Sequence, residues 1–170
     1  GAHIDLGLPE GPVRQYSVWD WDPAGRWFNI AVKREAEGRG GSRAVHDLTP
    51  GALVEVGEAR NHFGLGETDR HITLLAAGIG ATPIFPMART LQMARADFQV
   101  HYLARRVEEA AFDKAFRSLD LGERYHLHCS AAAGRIDLVA LLQRLPAGSD
   151  VYVCGPEGLL QAVFDAGRVL

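Results

Sequence analysis

The chain has 170 residues, 47% hydrophobic and 23% charged, a globular composition long enough for one sizeable domain or two small ones. A formal net charge of -3 argues against a nucleic-acid partner, and the absence of any apolar run near ~18 residues argues against a membrane span. Two cysteines, Cys129 and Cys154, are too few for a disulfide framework and lack the close spacing of a metal site; the expectation is reduced thiols in a cytoplasmic protein whose partners are small molecules or proteins.

From Gly1 to about Leu65 the chain offers short alternating runs, "HIDLGL", "RQYSVW", "WFNIAVK" and "ALVEVG", separated by the turn clusters "LPEGP", "DPAGR" and "EGRGG". This is the pattern of a small antiparallel barrel or sandwich. "GGSRAVHDL" adds one brief helix with Ser42 near its start. The chain opens without Met on a strand-like run and stops inside a helical pattern, so it is expected to be a portion of a longer polypeptide.

Near Glu67 to Arg70 the pattern changes, which divides the sequence into expected domains 1–68 and 69–170. "ITLLAA" reads as a buried strand, "TPIFPMARTLQMAR" as a helix, "FQVHYLA" as a strand and "EEAAFDKAFRSL" as helical. "YHLHC" is a strand, "RIDLVALLQRL" a helix, "DVYVC" a strand and "PEGLLQAVFDA" a helix. Strands alternating with helices predict parallel βαβ units, whose ligands sit outside the carboxyl ends of the strands.

Chemistry gathers at three glycine-bearing turns. "LLAAGIGATPI" runs from a buried strand through Gly78 and Gly80 into a helix whose first turn holds Thr82 and Pro83; this suits close approach of an anionic ligand and equally suits an ordinary strand–helix turn. "VYVCGPEGLL" repeats the arrangement with Cys154, Gly155, Pro156 and Glu157. "EGRGGSRAVHD" offers the N–H groups of Gly40 and Gly41 and the Ser42 hydroxyl to a phosphate, with Arg14 as a source of charge; a flexible hairpin loop with a capped helix is the alternative. The seven histidines lack metal-ligand spacing, so no metal site is expected.

"RQYS", "IAVKRE", "GRGGS", "ARNHF", "AGIGATPI", "HYLARR", "AAF" and "VYVCGPEG" occur in order and approximate spacing over nearly the whole chain. In this combination the sequence resembles the phthalate dioxygenase reductase-like branch of the ferredoxin–NADP reductase superfamily, which includes the vanillate O-demethylase oxidoreductases. The resemblance implies a flavin-binding antiparallel β-barrel, incomplete here, followed by an α/β parallel-sheet domain for a nicotinamide dinucleotide, with FMN in the cleft between them. It implies an NAD(P)H-dependent flavin oxidoreductase that passes hydride from nicotinamide to flavin and single electrons onward to a terminal oxygenase component. FAD and NADPH are the alternatives to the implied FMN and NADH.

Carried over residue by residue, the resemblance puts Arg14 on the flavin phosphate, Tyr16 on the ring and Ser17 at the reactive N5, with Gln15 in the same motif. Ile30, Ala31 and Val32 line the pyrimidine edge with Lys33 nearby, and Gly40, Gly41 and Ser42 hold the phosphate. Gly78, Gly80, Thr82 and Pro83 face nicotinamide and pyrophosphate, Arg105 lies toward adenosine, and Cys154 to Glu157 border the nicotinamide. Ser17, Thr82 and Cys154 are the candidates nearest the reacting atoms. The sequence departs from the family pattern at Ala77, where a glycine is usual and a methyl is expected to crowd the dinucleotide, and at Ala59, where a proline is usual. The first barrel strands and the [2Fe-2S] domain are absent from the chain. A free-standing flavin reductase and a non-catalytic nucleotide-binding electron-transfer subunit are the competing readings.

Overall fold

The computed structural model describes residues 1–8, 13–38 and 40–169; the turn expected over 9–12 and Arg39 of the glycine-rich loop lie outside them. The chain divides into two compact units, Gly1–Gly64 and Leu65–Leu170.

In the first unit alternation does most of the building. β1 (Ala2–Gly7) pairs antiparallel with β2 (Arg14–Trp21), placing Ile4 opposite Tyr16 and Leu6 opposite Arg14. β2 pairs in turn with β3 (Phe28–Ile30), and β1 also pairs with β4 (Glu55–Val56) and β5 (Arg60–Asn61). Together they form an incomplete antiparallel barrel wall. Ile4, Leu6, Leu8 and Val18 form its buried centre, with Tyr16, Ile30, Ala44 and Val45 packed on it. The β2–β3 turn is built around Asp22, whose carboxylate accepts from the N–H groups of Ala24 and Arg26 and from the Arg26 guanidinium. Those donors hold the Asp22 carboxyl below its ordinary range, the guanidinium first.

The strand expected over "WFNIAVK" is shorter than its pattern, ending at Ile30. Beyond it the backbone groups bond to side chains of α1 (Gly41–His46): the Val32 carbonyl accepts from His46 Nε2 at 2.8 Å, and the Glu35 N–H donates to Ser42 Oγ at 3.0 Å.

The second unit is a parallel sheet in the order β8-β7-β6-β9. Its strands are β6 (Ile72–Ala77), β7 (Phe98–Ala104), β8 (Tyr125–Cys129) and β9 (Asp150–Cys154). β6 is central, and five consecutive buried residues explain its unbroken apolar run. α2 (Ala81–Met93) follows it and buries Ala81 through Ala88. α3 (Asp113–Arg117), α4 (Ser130–Ala133), α5 (Leu138–Gln143) and α6 (Glu157–Arg168) complete the unit.

Two expected helices are shorter than their patterns. "EEAAFDKAFRSL" gives a 3-10 turn at Val107–Glu109 and then α3, with Ala110 leaving helical geometry at ψ 69 and both Ala110 and Phe112 drawn into the core. Burial outweighs helix propensity there. "RIDLVALLQRL" starts its helix only at Leu138, because the Asp137 carboxylate accepts from the Ala140 N–H and caps it. No helix among the described residues is long and apolar enough to cross a membrane.

Candidate functional site

In the second unit β7 and β8 lie successively to one side of β6, while β9 is added on the other, so strand order reverses between β6 and β9. An open parallel sheet receives ligands outside the carboxyl ends of its strands at such a point. Both glycine turns of this unit open there. The chain leaves β6 through a 3-10 turn, Gly78–Gly80, and enters α2; it leaves β9 through Gly155 and Pro156 into α6.

The two turns touch through glycines. A Cβ on Gly80 would stand 2.2 Å from the Cys154 carbonyl oxygen and 2.8 Å from the Gly155 nitrogen, so only a bare Cα fits. A Cβ on Gly155 would lie 2.9 Å from the Ala77 methyl. The Ala77 methyl therefore packs toward Gly155, which supplies the room for it. Gly78 adopts φ +53, a left-handed conformation suited to glycine.

Side chains hold this edge in place. The Thr82 hydroxyl, nearly buried, donates to the Ile79 carbonyl at 2.9 Å and braces the 3-10 turn. Pro83 is buried in the first turn of α2, and Glu157 is exposed in that of α6. Burial pushes the Cys154 thiol up, so it stays protonated at neutral pH and offers a soft, uncharged surface. Tyr102, which the sequence reading missed, donates its hydroxyl to the Gly78 carbonyl at 3.1 Å from the middle of the sheet. The alternation in "FQVHYLA" puts Tyr102 on the same face as the buried Phe98 and Val100, a signal present in the sequence. Arg105 follows β7 directly and is exposed.

In the first unit Arg14, Tyr16 and Val18 share one face of β2, and Gln15 and Ser17 lie on the other. Arg14 and Gly41 are brought together across 27 positions of sequence: a Cβ on Gly41 would sit 3.1 Å from Arg14 Cγ and 3.3 Å from its Nε. Arg14 donates to the Val13 carbonyl at 3.0 Å and makes no ion pair among the described residues. Gly40 precedes α1 at φ +86, and the first intrahelical bond runs from the Ala44 N–H to its carbonyl. The N–H groups of Gly41, Ser42 and Arg43 therefore have no acceptor inside the helix. Ser42 accepts through its Oγ and keeps its hydroxyl proton to give. A guanidinium with no carboxylate partner among the described residues, beside such N–H donors and an absent side chain, fits a phosphate ester.

Ile30 packs on the core, Ala31 and Val32 are half-buried, and Lys33 is paired with Glu35 at 2.7 Å. Tyr16 is half-buried, and burial raises its phenol. No group of three or more metal-binding side chains forms among the described residues.

No family model matches the chain. It is 39% identical over 171 aligned residues to a vanillate O-demethylase oxidoreductase of Pseudomonas sp. (strain HR199 / DSM 7063), covering 99% of this chain and 54% of that protein. It is 42% identical over 172 to a phenoxybenzoate dioxygenase subunit beta of Ectopseudomonas oleovorans, covering 99% and 53%. Among solved structures, a phthalate dioxygenase reductase, described as carrying electrons from pyridine nucleotides to [2Fe-2S], superposes with a TM-score of 0.84 at 34% identity. That alignment covers 99% of this chain and 54% of the reductase. The chain thus spans about half the length of the curated relatives it matches.

Proposed function

From its similarity to a vanillate O-demethylase oxidoreductase, a phenoxybenzoate dioxygenase subunit beta and a phthalate dioxygenase reductase, we propose that this chain is the NAD(P)H-dependent flavin oxidoreductase portion of a reductase component of the phthalate dioxygenase reductase-like family, serving a Rieske-type oxygenase or aromatic O-demethylase. The observation that carries this reading is the close meeting of Gly80 with Cys154 and Gly155 where strand order reverses. That packing fixes the two strand-end turns side by side where strand order reverses, the place at which an open parallel sheet takes a ligand.

In this reading the second unit holds the dinucleotide. Gly78 and Gly80 receive the pyrophosphate, Thr82 and Pro83 shape the turn beneath it, and Cys154 through Glu157 border the nicotinamide. The protonated Cys154 excludes water from the nicotinamide without acting as a nucleophile. The Thr82 hydroxyl, its proton committed to Ile79, can offer a ligand only an acceptor.

The first unit holds FMN rather than FAD. Arg14, the N–H groups of Gly41 and Ser42, and the Ser42 hydroxyl take the phosphate, with Gly40 setting the turn. Tyr16 lies against the ring, Ile30, Ala31, Val32 and Lys33 follow the pyrimidine edge, and Gln15 and Ser17 approach from the other face of β2, Ser17 at N5. When bound, FMN supplies a ring that accepts hydride and releases electrons singly. Orientation is the protein's contribution, and no side chain needs to carry a proton. Two cysteines cannot provide the four thiolates of a plant-type cluster. Electrons from a flavin held here would pass to a [2Fe-2S] centre whose ligands lie outside this chain, and then to a terminal oxygenase.

The test is anaerobic titration of the FMN-reconstituted protein with NADH and with NADPH. Bleaching of the flavin absorption by either is the expected result, and a bound flavin that neither bleaches would overturn the proposal. Arg14→Ala should weaken FMN binding about tenfold or more, as loss of a charge-assisted phosphate contact does.

A further inference from the structure

Tyr102 stands in the middle of the parallel sheet, opposite Ala76 of β6 and Leu127 of β8, and is wholly buried. A buried phenol needs a partner for its oxygen and another for its proton. Tyr102 has both: the oxygen accepts from the Phe112 backbone N–H, and the proton goes to the Gly78 carbonyl at 3.1 Å. Phe112 ends the motif "AAF", which neither the flavin nor the dinucleotide contacts account for. Ala110 leaves helical geometry and both Ala110 and Phe112 enter the core, which carries that N–H inward to the phenol. Ring packing holds the arrangement: Phe116 lies 5.5 Å from the Tyr102 ring, and Phe85 of α2 lies 5.5 Å from Phe116 and 6.0 Å from Phe112. Burial raises the Tyr102 phenol above its ordinary value, so the hydroxyl stays a donor at neutral pH.

The Gly78 carbonyl accepts twice, from Tyr102 and from the Ala81 N–H that closes the 3-10 turn. Gly78 lies at φ +53 and has no side chain to restrict the peptide that follows it, so local sterics leave that peptide free to turn over. Two donors on its carbonyl remove the freedom. A trans peptide is planar, with its N–H opposed to its carbonyl, so a Gly78 carbonyl turned into the core toward Tyr102 turns the Ile79 N–H outward. Ile79 is itself exposed there, at the carboxyl edge of β6, and its own carbonyl is held by Thr82.

Resting on the dinucleotide reading of the second unit, we infer that Tyr102 is a positioning residue for dinucleotide binding: its hydroxyl, anchored by the Phe112 N–H, holds the Gly78 carbonyl inward and thereby presents the Ile79 N–H to the pyrophosphate. Tyr102 touches no ligand and acts only through Gly78. Its effect therefore falls on the affinity for the dinucleotide and not on the hydride step, whose nicotinamide is bordered by the turn after β9.

The experiment is calorimetric titration with adenosine diphosphate ribose, which carries the pyrophosphate without the nicotinamide, of the parent chain, Tyr102→Phe and Tyr125→Phe. Tyr125 is the matched control, a tyrosine on the same face of the sheet whose hydroxyl donates to Asp113 at 2.7 Å and not to the turn. Tyr102→Phe should weaken binding about fivefold, the scale of one neutral hydrogen bond, and Tyr125→Phe should leave it unchanged. With FMN bound, the NADH or NADPH concentration giving half-maximal flavin bleaching should rise by the same factor in Tyr102→Phe while the saturated rate stays as in the parent. Amide NMR of the parent should show the Ile79 signal moving as adenosine diphosphate ribose is added, a readout that stands even if circular dichroism finds Tyr102→Phe unfolded. An Ile79 signal indifferent to the ligand, unchanged affinity in a folded Tyr102→Phe, equal losses in both variants, or a loss confined to the saturated rate would each overturn the assignment. A parent chain that binds no adenosine diphosphate ribose would instead overturn the dinucleotide reading itself, a distinct result.

Discussion

The two units reach stability by different means. In the second, Leu74, Ile84, Val100, Tyr102 and Phe116 are all 0% exposed, and strand ends are pressed together backbone to backbone. The first has strands of two to eight residues and a buried hydrophobic centre of four side chains, and it leaves Trp21, Trp27 and Phe28 more than 40% exposed. Its local order comes from polar devices: Asp22 inside a turn, and His46 and Ser42 standing in for a strand ladder. A unit with a small core gains proportionally more from a ligand that binds only its folded form. The contrast can be measured directly, because Trp19, Trp21 and Trp27, the chain's three tryptophans, all lie in the first unit. Their fluorescence follows that unit while far-UV circular dichroism is weighted toward the helices of the second.

Gly80→Ala should produce the largest effect. The added methyl meets the carbonyl oxygen and carbon of Cys154 at 2.2 and 2.5 Å, backbone atoms that cannot rotate aside. We expect a loss on the order of 4 kcal/mol in the second unit, read by circular dichroism in urea, with the tryptophan transition nearly unmoved. A loss below about 1 kcal/mol would mean that the two turns are not pressed together.

Matched truncations sharpen the same contrast. Leu74→Ala, in a fully packed site, should cost about 3 kcal/mol, and Leu6→Ala nearer about 2 because the thin first core can settle into the space. Equal costs would show that both cores are packed alike.

These outcomes bear on what was legible in the sequence. β6 was readable because a central parallel strand is a continuous apolar run, and the edge strand β9 because "DVYVC" is rich in β-branched and aromatic residues; both end where the pattern ends. The limits of β3 and α3 were not, because each is set by something other than local propensity, His46 on Val32 and burial of Ala110 and Phe112; the start of α5 is local, the Asp137 cap, a signal present in the sequence but not used. At the candidate site the motifs pointed to the turns but not to their inner arrangement. Nothing in "AAGIG" reveals that the Ala77 methyl faces Gly155, that Thr82 spends its proton on Ile79, or that Tyr102 reaches Gly78. The pairing of Arg14 with Gly41 is equally non-local.

Acid separates the units a third way. On one face of the second sheet His101 stacks on His126 at 4.6 Å between ring centroids and shares a 2.9 Å bond with His128, while its Nε2 is buried without a partner. Burial, reinforced by the two neighbouring imidazoles, pushes His101 down to about 3, and burial also lowers His128. A histidine whose folded pKa lies below the unfolded value of about 6.5 contributes no penalty above that pH; the unfolded chain binds the extra proton as pH falls below it. The second unit should therefore lose stability progressively from about pH 6.5 toward about 3, and His101→Gln should flatten the fall. A circular-dichroism midpoint independent of pH over that window would show that the imidazoles ionise in place.

The smallest effect on stability should come from Gly41→Ala, the same chemical change as at Gly80 made in the other unit. Here the methyl meets only the Arg14 side chain, at 3.1 and 3.3 Å, and a flexible stem can move by the few tenths of an ångström required. Alanine is also the better helix former by about 1 kcal/mol, which offsets the displacement, so the tryptophan transition should shift by less than about 0.5 kcal/mol in either direction. Binding should respond differently. If Arg14 and the Gly41 N–H converge on one phosphate, moving the guanidinium and roofing the bare Cα should weaken FMN severalfold while leaving the apoprotein as stable as before. A variant that binds FMN as tightly as the parent would detach the Arg14–Gly41 contact from the phosphate. A large stability loss without flavin would show that this glycine, like Gly80, serves packing, and the distinction between a unit closed by its own backbone and one open to a ligand would no longer hold.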